Sequence, residues 1–248
     1  MKKTTLIILL MLLVPTLRGQ QRQYLEETAV RVVDKYVGML NIEALPSDSL
    51  LVMETLITTM GSTDTFLMKR WWASPQMFRV EVWHADTLQT GLYGNGRNRW
   101  RKYYAAMHGW EDIGDALFYS YYEAYDFRGP LYSWRAQNAS LSYLGTKEMK
   151  GRPFDVVKVE TPDHYTRNYM FDRNNGLLTF ITEESEIDGE AIVADDAHIE
   201  WKAMLEFQPI GHAMLPSLES FSRQGAVTIL RSTYHMERLD THLFNHDR

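Results

Sequence analysis

Residues 65–93 read TFLMKRWWASPQMFRVEVWHADTLQTGLY. Three runs within them, Thr65 to Trp72, Met77 to His84 and Thr87 to Tyr93, are rich in β-branched and aromatic residues and follow a period of two. That is the pattern of strands whose successive side chains point to opposite faces. It spreads outward in both directions. Upstream lies Leu50 to Met60, joined through Gly61-Ser62-Thr63-Asp64, and downstream Gly94-Asn95-Gly96 leads into Asn98 to Ala105. Both connections suit hairpin tips, because Gly and Asn tolerate positive φ. Further runs cover Leu141 to Glu148, Phe154 to Thr161, Arg167 to Asp172, Leu178 to Glu186, Ala197 to Gln208, Met214 to Ser222 and Val227 to Leu239, with Asn174-Asn175-Gly176 as another tight turn. The expected class is mainly β (α+β): a curled antiparallel sheet or incomplete β-barrel of about 11 to 12 strands, since an up-and-down sheet of that size must curl or close.

Two segments change the period. Leu25, Ala29, Val32, Val33, Tyr36, Val37 and Leu40 recur at three- and four-residue spacing, with Glu26, Glu27, Arg31, Asp34 and Lys35 between them, and predict an N-terminal amphipathic helix. Leu45-Pro46-Ser47-Asp48 ends the pattern. The second segment places Trp110, Ile113, Leu117, Phe118, Tyr121, Tyr122 and Tyr125 at helical spacing beside Glu111, Asp112, Asp115 and Glu123, up to Arg128-Gly129-Pro130. It reads as an inserted aromatic helix, either a lid over a ligand cavity or a plug that fills the sheet, and the spacing leaves both open. Tyr and Trp suit either role, because each combines a large apolar body with a polar tip.

The chain opens with Lys2 and Lys3, an apolar run from Leu6 to Val14, and Pro15 through Gly19. This is the layout of a signal peptide over residues 1–19, and the run is well short of the roughly 20 residues that span a bilayer. A periplasmic product is expected, with residues 20–248 as a single domain. No Cys follows the run to carry a lipid anchor. With 0 Cys in the whole chain, the fold must rest on an ordinary hydrophobic core. The net charge is −6, and loss of Lys2, Lys3 and Arg18 makes the remainder more acidic. Nucleic-acid binding, which depends on many cationic contacts to phosphate, is thereby disfavoured.

Several local patterns together carry a family resemblance. Ser74-Pro75-Gln76-Met77-Phe78-Arg79 looks like a Pro followed closely by an aromatic at a strand start, and Asn95-Gly96-Arg97-Asn98-Arg99-Trp100 like a Gly turn with a Trp four residues on. The second half adds Phe127-Arg128-Gly129-Pro130-Leu131, the stretch from Tyr143-Leu144-Gly145 through Lys158-Val159, and Tyr169-Met170-Phe171-Asp172 through Gly176-Leu177-Leu178. In this order and spacing they resemble the LolA/LolB-like superfamily of outer-membrane lipoprotein carriers, in its envelope-protein branch. The resemblance implies an open barrel with an apolar concave face, closed by helices and able to take acyl chains. The carrier proper has Arg directly before the Pro, and this chain has Ser74 there. What is carried over is therefore the broader reading, lipid or lipoprotein binding.

The expected ligand-binding residues are Trp71, Phe78, Trp83, Trp100, Trp110, Leu117, Phe118, Tyr121, Tyr122 and Tyr125. Trp71 and Trp72 are adjacent, so only one of them can look inward. Signals for catalysis are poor: there is no GxSxG elbow, no HExxH, no phosphate-binding Gly-rich Lys loop and no thiol. His198 with Glu200, beside Asp195 and Asp196, reads as a solvated rim, as does the carboxylate run Glu183, Glu184, Glu186, Asp188 and Glu190. The expectation is a non-enzymatic periplasmic binder or carrier of lipid or lipoprotein acyl chains, without cofactor or metal, handing its cargo to an envelope protein partner. An envelope lipid-state sensor or protein-interaction module is the alternative, with a hydrolase behind it. The export reading predicts that protein recovered from the envelope begins at Gln20, Gln21 or close by and stays in solution without detergent. N-terminal sequencing that finds Lys2 retained in a membrane fraction overturns it.

Overall fold

In the computed structural model the residues described are 23–42, 45–46, 48–74, 77–95, 100–114, 131–132, 134–136, 138–161, 166–183, 201–223 and 225–244. Helix α1 covers 23–40, and its buried residues Ala29, Val33, Tyr36 and Leu40 keep the spacing of one face. No helix among the described residues is long and apolar enough to cross a membrane. Among the described residues thirteen strands follow: β1 (Ser49–Thr59), β2 (Thr65–Ser74), β3 (Met77–His84), β4 (Thr87–Asn95), β5 (Trp100–Tyr104), β6 (Gly109–Ile113), β7 (Ser140–Met149), β8 (Arg152–Glu160), β9 (Thr166–Asp172), β10 (Leu178–Glu183), β11 (Trp201–Ile210), β12 (Ala213–Arg223) and β13 (Ala226–Arg238). The protein is thus mainly β, and the strand pairs are antiparallel.

The chain divides into two compact units, residues 1–38 with 134–184 and residues 39–133 with 185–248. In the first, the strands lie in the order β10-β9-β8-β7. Tyr36 of α1 meets Phe171 of β9 edge-on at 5.6 Å, so the helix packs on the face that also carries Val157, Tyr169 and Ile181. At the β9–β10 turn, Asp172 is 1% exposed, paired with Arg152 and bonded by the Asn174 N–H at 2.9 Å. Burial alone would raise its carboxyl, but the Asn174 N–H and the Arg152 guanidinium outweigh burial and hold it below the ordinary carboxylate range.

The second unit orders its strands β6-β5-β4-β3-β2-β1-β13-β12-β11. Neighbours in sequence are neighbours in space except at β1 and β13, which pair from Ser49↔Arg238 to Thr59↔Thr228. On one face, the short 3₁₀ turn Thr241–Phe244 brings Phe244 against Leu50 and Val52, with Trp71, Ala73 and Met77 around them.

One element departs from the sequence reading. Trp110 and Ile113, expected to begin the aromatic helix, lie on strand β6, paired to Tyr103 and Trp100 of β5. Their three-residue spacing suits a helix, yet a strand wins because the Trp110 ring has a seat on the sheet. It lies edge-on to Tyr93 at 5.3 Å and to Tyr103 at 5.6 Å. It also occupies the space left by Gly91, where an added Cβ would sit 2.5 Å from Trp110 Cη2. The Trp110 carbonyl meanwhile accepts from Arg101 Nη2 at 2.7 Å. The rest of that segment, including Leu117, Phe118, Tyr121, Tyr122 and Tyr125, lies outside the described residues, as do residues 1–19, His198 and Glu200.

Two hairpins use two-residue turns with both residues at positive φ. They are Lys150 (50°) with Gly151 (75°) between β7 and β8, and Ala85 (46°) with Asp86 (63°) between β3 and β4. Asn-Gly meets that requirement with far less strain than Ala-Asp. Replacing the pair by Ala85→Asn with Asp86→Gly should raise stability by about 1 kcal/mol, read as a higher denaturant midpoint at unchanged slope.

Candidate ligand-binding face

Opposed residues of an antiparallel pair share a face, so the registers of the nine-stranded unit sort its side chains into two sets. One row runs Met236, Leu51, Trp72, Phe78, Gly94, Trp100, Ile113 from β13 to β6. The next row on that face runs Tyr234, Met53, Arg70, Val80, Leu92. A third runs Ser232, Thr55, Met68, Val82. Met68, Phe78, Val80, Leu92 and Trp100 form a buried cluster, with Ile57, Trp72, Val82 and Ile113 partly buried against it. Three large rings, Trp72, Phe78 and Trp100, therefore meet aliphatic side chains on one side of the sheet.

A polar strip lies within the same face. Arg70 sits between Met53 and Val80 and donates from Nη2 to Thr55 Oγ1 at 3.0 Å, and Thr55 shares a 2.9 Å hydrogen bond with Ser232 Oγ. Thr55 is fully buried and Ser232 nearly so. The Tyr234 hydroxyl donates to the Pro216 carbonyl. Burial pushes that hydroxyl up, Arg70 works against the shift and Glu219 adds to it. Glu219 is itself paired with Lys202 at 2.7 Å. These bonds satisfy the hydroxyls of Thr55, Ser232 and Tyr234 among apolar neighbours, and they place a guanidinium between Met53 and Val80. Sequence reasoning missed Arg70, Thr55, Ser232 and Tyr234.

The opposite face holds a different set. Trp71 lies near the Arg79 guanidinium, 5.6 Å from ring centre to carbon. Arg79 is paired with the buried Glu81 and donates to the Leu243 carbonyl at 3.1 Å, and Trp83 Nε1 donates to Glu81 Oε2 at 3.0 Å. The Arg79 bond to Leu243 ties the turn Thr241–Phe244 to the sheet. Trp110 is on this side as well, over Gly91. The expected ligand residues are thus divided: Phe78 and Trp100 share the buried cluster, while Trp71, Trp83 and Trp110 look the other way. Trp72, not Trp71, joins the cluster. Among the described residues no three His, Cys, Asp or Glu side chains come together as a metal-binding group.

Solved structures share this architecture over nearly the whole chain. A LolA superfamily protein from Nitrosomonas europaea superposes with a TM-score of 0.55 at 11% identity, covering 88% of this chain and 98% of its own. The fold is similar to that of this LolA superfamily protein. A DUF1329 family protein from Desulfovibrio piger gives 0.57 at 12% identity, covering 88% and 97%. A domain from Vibrio parahaemolyticus named for outer-membrane lipoprotein sorting gives 0.52 at 11%, covering 86% and 97%. No protein-family profile and no curated protein sequence matches the chain. At these identities the likeness extends to the LolA-like fold and no further.

The division between faces has a measurable consequence. Trp100→Ala or Phe78→Ala should lower unfolding free energy by about 3 to 5 kcal/mol, the range for truncating a buried ring. Trp83→Ala, at a half-buried position, should lower it by less than half as much. Chemical denaturation compares them, and equal losses at Trp83 and Trp100 would contradict the assignment.

Proposed function

We propose that this protein is a binding or carrier protein of the Gram-negative periplasm that holds the acyl chain of a lipid or lipoprotein without altering it. The observation that carries this reading is the meeting of Trp72, Phe78 and Trp100 with Met68, Val80 and Leu92 on one sheet face. An acyl chain offers no polar groups along its length, so affinity for it must come from apolar area, at about 25 cal/mol per Å² buried. Rings set among flexible aliphatic side chains supply that area and adapt to a chain of variable bend. The LolA-like fold supports the reading, and one of the similar structures is named for outer-membrane lipoprotein sorting.

Leu117, Phe118, Tyr121, Tyr122 and Tyr125 enter the proposal as a cover for the ligand, on their helical spacing alone. Trp71, Trp83 and Trp110 do not, since their contacts are with the opposite side of the sheet. A net charge of −6 favours handover to a protein partner over docking on an anionic membrane.

The test is direct. An environment-sensitive fatty-acid probe should bind the mature protein saturably and be displaced by oleate, and native mass spectrometry should find lipid copurifying. Trp72→Ala, at a half-buried ring, should weaken probe binding roughly 5- to 150-fold, as expected for about 1 to 3 kcal/mol of lost apolar contact. Trp83→Ala should leave binding unchanged. A parent protein that never binds the probe, with Trp72→Ala lowering only the melting temperature, would show the cluster to be core packing alone.

A further inference from the structure

On the face of the nine-stranded unit that carries Trp71 and Trp83, three residues at alternate positions of β3 form one network. Glu81 is 5% exposed, and its carboxylate accepts from Arg79 Nε at 2.7 Å, from Arg79 Nη2 and from Trp83 Nε1 at 3.0 Å. Alternation along a single strand puts all three on one face, so β3 alone holds the guanidinium in place. Arg79 Nη1 is left to donate outward, and it meets the Leu243 carbonyl at 3.1 Å. A planar guanidinium fixed at two nitrogens by a buried carboxylate is a rigid donor.

Beside this donor lies a seat for a ring. Phe244 is 1% exposed against Leu50 and Val52 of β1, with Trp71 and Ala73 of β2 and Met77 of β3 partly buried around it. Trp71 is itself placed by Arg79, 5.6 Å from ring centre to guanidinium carbon. The walls of the seat belong to three strands whose ladders do not involve the turn Thr241–Phe244. The turn's own backbone bonds are local, from the His242 N–H to Asp240 Oδ1 at 2.9 Å and from the Leu243 N–H to the Asp240 carbonyl at 3.2 Å. It meets the sheet through the Phe244 ring, the Leu243 side chain and the Leu243 carbonyl.

We propose that this seat is a peptide-anchoring site, filled in this structure by the chain's own Leu243-Phe244, and that it takes the same groups from a partner protein: an aromatic ring and the carbonyl of the apolar residue before it. Preformed walls and a fixed donor suit that recognition, because little has to be ordered when one occupant replaces another. A buried aromatic anchor in a well-packed pocket is also where protein contacts concentrate their affinity. The turn Thr241–Phe244 then acts as a resident competitor, and a partner gains the seat by displacing it. The inference does not depend on the acyl ligand, whose cluster of Phe78 and Trp100 lies on the opposite face of the same sheet.

The experiment uses the full chain and a fluorescently labelled synthetic peptide with the sequence of residues 239–244. In the parent, hydrogen exchange at the Leu243 amide should run through local opening, at least about tenfold faster than at the amides bonded across the β1–β13 ladder. In Phe244→Ala the vacated seat should bind the peptide saturably, about tenfold or more tightly than the parent does, because the parent's own ring competes. Adding Arg79→Lys, which keeps a cation beside Glu81 without the second fixed donor, should weaken that binding about tenfold. A peptide with Ala in place of its Phe should not bind. Turn amides as protected as the ladder, a folded Phe244→Ala that ignores the peptide, or binding indifferent to the peptide's Phe or to Arg79→Lys overturns the proposal. If Phe244→Ala does not fold, the parent decides: excess peptide should speed exchange at Leu243, and an unchanged rate overturns the proposal as well.

Discussion

The pairing of β1 with β13 is the constraint on which the nine-stranded unit depends. Every other neighbour in that unit is joined by a short turn, so each forms locally, but Ser49–Thr59 must find Ala226–Arg238 across most of the chain. Without that ladder, β1 through β6 and β11 through β13 would be separate meanders with bare edges. The ladder is secured where it is most buried: Thr55 bonds Ser232, and Arg70 of β2 bonds Thr55 in turn. A second contact, Thr59 with Thr228 at 3.1 Å, lies near its end. Loop-closure entropy grows slowly with length, so one long ladder with buried polar ties is enough to hold the union.

Once the ladder sets the register, period-two geometry decides which rings meet. The Trp72, Phe78 and Trp100 side of the sheet collects aliphatic neighbours, whereas the Trp71 and Trp83 side collects Arg79, Glu81 and the turn Thr241–Phe244. The two sides therefore do different work. One holds the turn Thr241–Phe244 through the Arg79 hydrogen bond to the Leu243 carbonyl and the packing of Phe244 on Leu50 and Val52, and the other gathers the buried cluster around Phe78 and Trp100.

Polar atoms in both units follow a common logic with opposite outcomes. Thr55 and Ser232 are bonded to each other and Asp172 to the Asn174 N–H and Arg152, which stabilises these buried groups and holds the Asp172 carboxyl below its ordinary range. Around Asn168 and Thr182 two acceptors stay unmatched at similar burial.

Much of this was legible in the sequence. The β class, most strand positions and the buried stripe of α1 follow from period alone, because alternation and 3.6-residue spacing are local properties of the chain. Parity also constrains a strand from within: Phe78 and Trp83 are five apart on β3, so they were bound to face opposite ways, and Phe78, Val80 and Val82 against Arg79 and Glu81 names the apolar side. On β2 parity fails to choose, since Leu67, Lys69, Trp71 and Met68, Arg70, Trp72 each carry one cation among apolar residues. Only the pairing of Trp72 with Phe78, and of Arg70 with Thr55 and Val80, decides that strand. The same limit explains Trp110, whose helical spacing was overruled by a seat on Gly91 that no local pattern reveals. Sequence by itself determined which segments alternate and which coil; tertiary structure decided which of two faces each ring joins and which buried oxygens are left unbonded, because both depend on neighbours far away in the chain.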